Sequence, residues 1–150
     1  MKNKRILVAV QDREHIDSLI RLAWEMSRGT QSEVVALHVV EVGLGLPLDA
    51  DADVLDRPGR ELLAEAQRVA RHEFGEEIST RLVRGREAGP VLVREAEELG
   101  AELLVLGYRP KKSRVAKALL GSTVEYITNH APCRVIVQVL PFGTAQEAAA

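Results

Sequence analysis

Apolar residues in this chain form short runs, some interrupted by one or two polar residues, that alternate with longer segments of helical spacing. Runs over residues 6–10, 34–40, 103–106 and 133–139 are typical of strands that are buried on both faces, as in a parallel sheet. Residues 78–83 instead place Ile, Thr and Leu on one side against Ser, Arg and Val on the other. This alternation predicts a strand that is only half covered, at an edge of the sheet.

The segments between the strands carry apolar residues on one helical face. They predict helices over residues 14–28, 61–74, 89–99 and 122–130. Gly29, Gly75 and Gly100 are placed to end the first three helices, and Pro132 stops the fourth. Five strands alternating with four helices predict an α/β fold, a doubly wound five-stranded parallel sheet with right-handed crossovers.

Two segments have no regular period. Residues 41–57 form a connection that is long for a compact domain, so we predict a flap or a loop that faces a partner. Residues 141–150 are small and polar, with no pattern that could bury a face. We therefore predict one domain over residues 1–140 and a flexible C-terminal tail.

Composition and charge narrow the class of protein. A chain of 150 residues that is 46% hydrophobic can bury a single sizeable core. A net charge of −2 disfavours nucleic acid as a partner, and no apolar run approaches the roughly 20 residues of a membrane span. The single cysteine, Cys133, excludes an intrachain disulfide and fits a reducing compartment. We expect a cytoplasmic protein that binds neither nucleic acid nor membrane.

Basic residues are concentrated between the fourth strand and the last helix. Five of them stand between positions 109 and 117 with no acidic residue: Arg109, Lys111, Lys112, Arg114 and Lys117. The cluster precedes Gly121 and Ser122, where a helix is predicted to begin. A helix start offers unpaired N–H groups to an anion, and ligands of open parallel sheets bind at the carboxyl ends of the strands. This pattern predicts an anion site, with phosphate as the obvious ligand.

Purely structural interpretations exist for the same residues. Ser122 and Glu125 have the spacing of a capping box, and the basic segment can equally be a solvated loop. The burial expected at Cys133 favours a small packed side chain over a nucleophile.

No metal or catalytic motif is evident. Asp49, Asp51 and Asp53 have the spacing of a calcium loop, but the required glycine and glutamate are replaced by Val54 and Arg60. The histidines, at positions 15, 38, 72 and 130, form no ligand pair on one helix face. We predict no metal site, no catalytic residue and no enzymatic activity.

The order of these elements, from residue 5 to residue 139, resembles the universal stress protein family. The segments that carry the resemblance are ILVAV at 6–10, ALHVVE at 36–41, AELLVLGYR at 101–109 and LLGSTVEYITNHAPCRVIVQ at 119–138. The resemblance implies a Rossmann-like sheet in strand order 3-2-1-4-5, a cytoplasmic location and homodimers joined through the last strand. In one subgroup it also implies an adenine nucleotide held at the strand ends.

The motif of that nucleotide-binding subgroup is only partly present. Gly107, Gly121 and Ser122 match it, whereas Pro110 replaces its second glycine and one extra residue separates Pro110 from Gly121. Gln11 stands where the subgroup has an aspartate, and Val124 stands where it has a second hydroxyl, with Thr123 alongside. Proline fixes φ and has no N–H to donate, so the backbone cradle for phosphate is impaired.

The resemblance assigns two sets of candidate residues. The candidate nucleotide-binding residues are Ala9, Gln11, Val39, Leu106, Gly107, Arg109, Gly121, Ser122 and Thr123. The candidate dimer interface is an apolar edge strand that needs cover, with Val135, Ile136, Val137 and Val139.

Together these patterns predict a regulatory or binding protein that acts as a homodimer in the stress response, through a protein partner that the sequence does not identify. Its degenerate site is expected to bind ATP, ADP or AMP weakly or not at all, so no cofactor is assigned with certainty. The alternative is a competent ATP-binding member of the family with slow nucleotide hydrolase activity.

Overall fold

The computed structural model of the chain describes residues 4–50, 53–110 and 121–140. Lys111, Lys112, Arg114 and Lys117 of the basic cluster, Asp51 and the predicted tail lie outside the described residues. The elements in chain order are β1 (Arg5–Ala9), α1 (Ile16–Thr30), β2 (Glu33–Glu41), α2 (Asp53–Phe74), β3 (Ser79–Gly85), α3 (Ala88–Glu98), β4 (Ala101–Tyr108), α4 (Ser122–His130) and β5 (Arg134–Val139).

The five strands form one sheet in the order β3-β2-β1-β4-β5, and each neighbouring pair is parallel. The predicted doubly wound α/β fold and its strand order 3-2-1-4-5 are therefore confirmed. The half-covered strand β3 lies at one edge, as its alternation predicted. β5 lies at the other edge.

Two apolar layers enclose the sheet, and β1 belongs to both. Its residues Ile6 and Val8 pack with α1 and α2, whereas Leu7 and Ala9 pack with α3 and α4. This double burial explains the uninterrupted apolar run in the sequence. The register between β1 and β4 shifts between Arg5 and Ile6, because Arg5 pairs with Ala101 and Ile6 pairs with Leu103.

The end of α1 differs from the prediction. Gly29 lies inside the last turn, and the helix continues to Thr30. Gln31 takes the left-handed conformation, with φ of 53°, and its N–H donates to the carbonyl of Ser27. The N–H of Ser32 donates to the same carbonyl at 3.3 Å. These two bonds satisfy the helix end without a glycine at the position that usually needs one.

The start of α2 also differs, because the helix begins at Asp53 rather than at residue 61. Residues 53–57, which we expected in the long loop, therefore form its first turns, and Pro58 lies within the helix. The Asp53 carboxylate accepts a hydrogen bond from Arg57 at 3.0 Å. Acidic side chains near the helix start also interact favourably with the macrodipole, which helps to offset the proline. Gly75, with φ of 65°, follows the other end of α2 as predicted.

Two arginines of the β3 end hold the loop that joins β2 to α2. Arg86 donates to the carbonyls of Gly43 at 2.6 Å and Leu46 at 2.7 Å. Arg84 donates to the carbonyl of Ala50 at 2.5 Å and to both carboxylate oxygens of Asp56, at 3.0 and 2.9 Å. The loop backbone is thus tied to the sheet.

The ion pair of Asp56 with Arg84 gives an expected pH dependence. The Arg84 hydrogen bond holds the pKa of the Asp56 carboxyl below its ordinary value. Because the folded-state pKa is lowered, the stabilisation is present above the unfolded-state pKa of about 3.9 and is lost as pH falls through the folded-state value. We expect Asp56→Asn to lower the free energy of unfolding by about 1–2 kcal/mol near neutral pH and by progressively less in acid.

Urea denaturation at a series of pH values measures this difference. Asp49→Asn is the matched control, because Asp49 lies exposed in the loop that precedes α2 and its side chain has no hydrogen bond within the described chain. A difference between wild type and Asp56→Asn that stays constant down to about pH 3 would contradict the expectation.

Candidate functional site

A small cavity lies at the carboxyl ends of β1 and β4, where the predicted site was expected. Its volume is about 70 Å³. It is lined by Ala9, Gln11, Asp12, Leu19, Leu92, Leu106, Gly107, Thr123 and Leu140. The structure therefore brings together five of the nine candidate nucleotide-binding residues. The volume suffices for about two water molecules and is well below the roughly 300 Å³ at which ligand sites begin.

Gln11 extends the hydrogen bonding of β1 beyond its last residue. Its side-chain oxygen accepts from the backbone N–H of Val39 at 3.0 Å, and its side-chain nitrogen donates to the carbonyl of Val39 at 3.4 Å. Val39, a further candidate residue, is itself buried. The polar backbone groups that β2 would offer to a ligand are therefore already bonded to a side chain of the same protein.

Leu140 closes the cavity over Gly107. A Cβ atom placed on Gly107 would lie 2.8 Å from Cδ1 of Leu140. The N–H of Leu140 donates to the carbonyl of Tyr108 at 2.7 Å, which fixes Leu140 beside the end of β4. The apolar Leu140 side chain therefore packs closely against Gly107 and lines the same cavity.

Four cavity residues were not among the candidate nucleotide-binding residues: Asp12, Leu19, Leu92 and Leu140. The three leucines carried no signal beyond apolar character. Asp12 follows Gln11 directly after β1, and its Oδ1 accepts from the N–H of Glu14 at 3.0 Å. Its position after the strand was the one available signal.

The start of α4 differs from the predicted capping box. Gly121 occupies the N-cap position, with φ of −64° and ψ of 156°, and the N–H of Glu125 donates to its carbonyl at 3.0 Å. Ser122 is therefore the first helical residue, and the N-cap residue Gly121 has no side chain with which to cap the helix. The predicted capping box is wrong, because it requires Ser122 at the N-cap position that Gly121 occupies. Within the described residues, the first-turn N–H groups have no side-chain cap, a condition that suits an anion.

Ser122 does not line the cavity that contains Gly107. It lines a separate one of about 330 Å³ together with Glu41, Glu87 and Tyr126, among others. Thr123 lines both cavities. The two carboxylates beside Ser122 oppose a phosphate there, since like charges repel across a shared space.

Arg109 and Gly121 line neither cavity. The Arg109 guanidinium forms an ion pair with the carboxylate of Glu14, in the loop between β1 and α1. Part of its charge is therefore compensated within the protein.

The candidate dimer residues all lie on β5. Val135, Ile136 and Val137 are half-buried against the two apolar layers, whereas Val139 is 56% exposed. Among the described strands, β5 pairs only with β4. Its other edge offers backbone groups for pairing.

The remaining groups to consider are Cys133 and any cluster of metal-binding side chains in the described part of the chain. Burial raises the pKa of the Cys133 thiol, which disfavours the reactive thiolate. Within residues 4–50, 53–110 and 121–140, no three histidine, cysteine or acidic side chains come together as a metal-binding group. In the same ranges, no helix has the length and apolar character that a membrane span requires.

Comparison with known proteins finds relatives that are described as universal stress proteins. A universal stress protein of Methanothermobacter thermautotrophicus is 30% identical over 141 residues, which cover 88% of this chain and 92% of the relative. A solved universal stress protein from Archaeoglobus fulgidus superposes with a TM-score of 0.72 at 26% identity, covering 91% of this chain and 94% of its own. A structure from the same organism, solved in complex with dAMP, gives 0.69 at 25% identity, covering 91% and 98%.

The family model of the universal stress proteins matches residues 2–138, which include β1 to β4 in full and all of β5 except Val139. That match covers far more than half of the sequence, and the sheet order is the one that the resemblance implied. The chain belongs to the universal stress protein family.

Proposed function

We propose that this universal stress protein is a non-catalytic regulatory protein that acts as a homodimer in the stress response and binds adenine nucleotides weakly or not at all. The observation that carries the proposal is the occupation of the candidate nucleotide site by the protein itself. Gln11 holds both backbone groups of Val39, and Leu140 lies over Gly107.

Adenine nucleotides remain the ligand class to test. One relative was solved with dAMP, and at 25% identity its site chemistry is a reasonable guide. The uncapped start of α4 offers N–H groups to a phosphate, so some affinity is retained in this proposal. The base and ribose would have to displace Leu140 and the Gln11 side chain, which lowers the net affinity.

Calorimetric titration with AMP, ADP and ATP tests the nucleotide part of the proposal. We expect a wild-type Kd of about 1 mM or weaker. Because Leu140→Ala opens the space over Gly107 and Gln11→Ala frees the Val39 backbone groups, the double variant is expected to bind AMP about tenfold more tightly.

The matched control is Val139→Ala, which shortens the neighbouring residue outside the cavity and should leave nucleotide affinity unchanged. Thermal unfolding of each variant checks that the fold is retained. A wild-type Kd in the low micromolar range, with no gain in the double variant, would refute the blocked site.

The alternative function is a competent ATP-binding protein with slow hydrolase activity, and one observation favours it. The carboxylate of Asp12 lies at the same cavity as Gly107 and Thr123, where it could hold a divalent cation or orient a water. Phosphate release from ATP that Asp12→Asn abolishes would establish this alternative. Release at the level of a heat-inactivated sample would support the non-catalytic role.

A further inference from the structure

A third cavity lies at the opposite end of the sheet from the other two, beside the starts of β2 and β3. Its volume is about 300 Å³, and we call it the amino-end pocket. It is lined by Ile20, Trp24, Ser27, Arg28, Gln31, Ser32, Glu33, Val34, Ala70, Phe74, Glu76, Glu77 and Ile78. The volume is at the lower limit for small-molecule sites and about four times that of the cavity at Gly107.

Two aromatic side chains form one wall of this pocket. The rings of Trp24 and Phe74 are stacked, with centroids 4.5 Å apart and planes 18° from parallel. The Arg28 guanidinium carbon lies 4.8 Å from the Trp24 centroid, and that of Arg21 lies 5.3 Å from the Phe74 centroid. The aromatic pair therefore already attracts cations, as the negative faces of the rings favour.

The floor of the pocket is apolar. It consists of the buried residues Ile20, Val34, Ala70 and Ile78, from α1, β2, α2 and the chain just before β3. The apolar part of a ligand, the size of one small ring, would be buried against this floor and shielded from water.

Acceptor groups surround the pocket, because both α1 and α2 end there. Each helix C-terminus carries roughly half a negative charge on its last carbonyls. The exposed Glu76 adds a carboxylate that pairs with no basic side chain in the described part of the chain. The other acidic lining residues, Glu33 and Glu77, are already paired with arginines.

We propose that the amino-end pocket binds a small organic cation, a protonated amine on an apolar ring. The ring would lie on the apolar floor beside the edges of the stacked aromatic pair, and the ammonium group would face Glu76 and the carbonyl ends of the two helices. An anion of the same size is disfavoured by these acceptors. Arg28, the one basic residue among the described residues that line the pocket, is engaged with the face of Trp24.

Intrinsic fluorescence tests this proposal directly, because Trp24 is the only tryptophan in the sequence. The probes are 2-phenylethylamine, the neutral 2-phenylethanol and the anionic 3-phenylpropionate, which have similar size and different charge. We expect the amine to bind about tenfold more tightly than the carboxylate near pH 7, with the alcohol between them. The preference should shrink as salt is added.

Two variants distinguish the effect of the Glu76 charge from a nonspecific effect of losing an acidic residue. Glu76→Gln should weaken amine binding about two- to fivefold and leave the alcohol unchanged, since it removes a partly solvated charge. Glu97→Gln, an exposed acidic residue of α3 away from the pocket, is the matched control. Amide chemical shifts on adding the amine should move at Ala70 and Ile78 and not at Ala9 and Thr123.

Equal affinity for the three probes would overturn the proposal, and so would the absence of saturation at about 10 mM amine. Shifts centred on Ala9 would do the same. Because this pocket and the cavity at Gly107 lie at opposite ends of the sheet, the result is independent of nucleotide binding.

Discussion

Arg81→Ala is expected to lower the free energy of unfolding by about 3–5 kcal/mol, although the Arg81 side chain is 43% exposed. The reason is its partner on α3. Glu95 is only 3% exposed, and its two carboxylate oxygens accept from Arg81 at 3.2 and 3.3 Å. Removal of the guanidinium leaves a buried carboxylate without its partner, which costs more than the loss of a surface ion pair.

Urea denaturation near neutral pH measures this loss. Arg94→Ala is the matched control, because Arg94 is an exposed arginine of α3, the helix that carries Glu95. Arg94 forms no ion pair within the described residues. Adding Glu95→Leu to Arg81→Ala should recover most of the stability, since an apolar side chain of similar size tolerates burial. A loss below about 1 kcal/mol, or no recovery in the double variant, would count against the buried-charge explanation.

Val139→Lys is expected to weaken the proposed homodimer at least about a hundredfold in Kd. In a dimer with twofold symmetry, β5 would pair with its own copy, so each substitution enters the interface twice. Two lysines brought together on an edge strand repel each other and lose hydration. The dimer itself remains a proposal that rests on the apolar edge formed by β5.

Light scattering at micromolar concentration gives the mass. The wild type should have twice the chain mass of 16.5 kDa, and Val139→Lys should have the mass of one chain. Val54→Lys is the matched control, because Val54 is an exposed valine, 78% accessible, on α2 rather than on the edge strand. If the wild type has the mass of one chain, the dimer proposal is refuted. If Val139→Lys still has the mass of two chains, the dimer interface lies elsewhere.

The fold was largely predictable because each strand carries a local signal. The β-branched runs of β1 and β2 lie between two layers of helices, and Gly75 and Gly100 end their helices with positive φ as expected. The start of α2 was not predictable in the same way. Pro58 and the aspartates before it are typical of loops, and ties to Arg84 on β3 help to hold this part of the chain as a helix.

Five candidate nucleotide-binding residues line one cavity at the strand ends, whereas the contacts around them were not predictable, and a nucleotide role for this cavity stays a prediction. Gly107 and Thr123 do meet at the carboxyl ends of the strands. The contact of Leu140 with Gly107 joins residues 33 positions apart, and the bonds of Gln11 to Val39 span 28 positions. Such contacts depend on how the elements pack, and no local pattern around Gln11 or Leu140 encodes them.

Because β1 is buried in both apolar layers, neither face of this central strand is exposed to solvent. Burial therefore does not determine which of its two faces packs against which layer. A slip by one residue would exchange one set of apolar side chains for another at little cost in hydration, so the hydrophobic pattern alone does not align this strand. Alignment therefore depends on polar residues at both ends of the strand: Gln11, which bonds Val39 of β2, and Arg5, the first residue of β1. Arg5 donates to the carbonyl of Leu99 at 2.8 Å and lies 3.6 Å from the Glu33 carboxylate, which anchors β1 between both neighbours at the irregular pairing with β4.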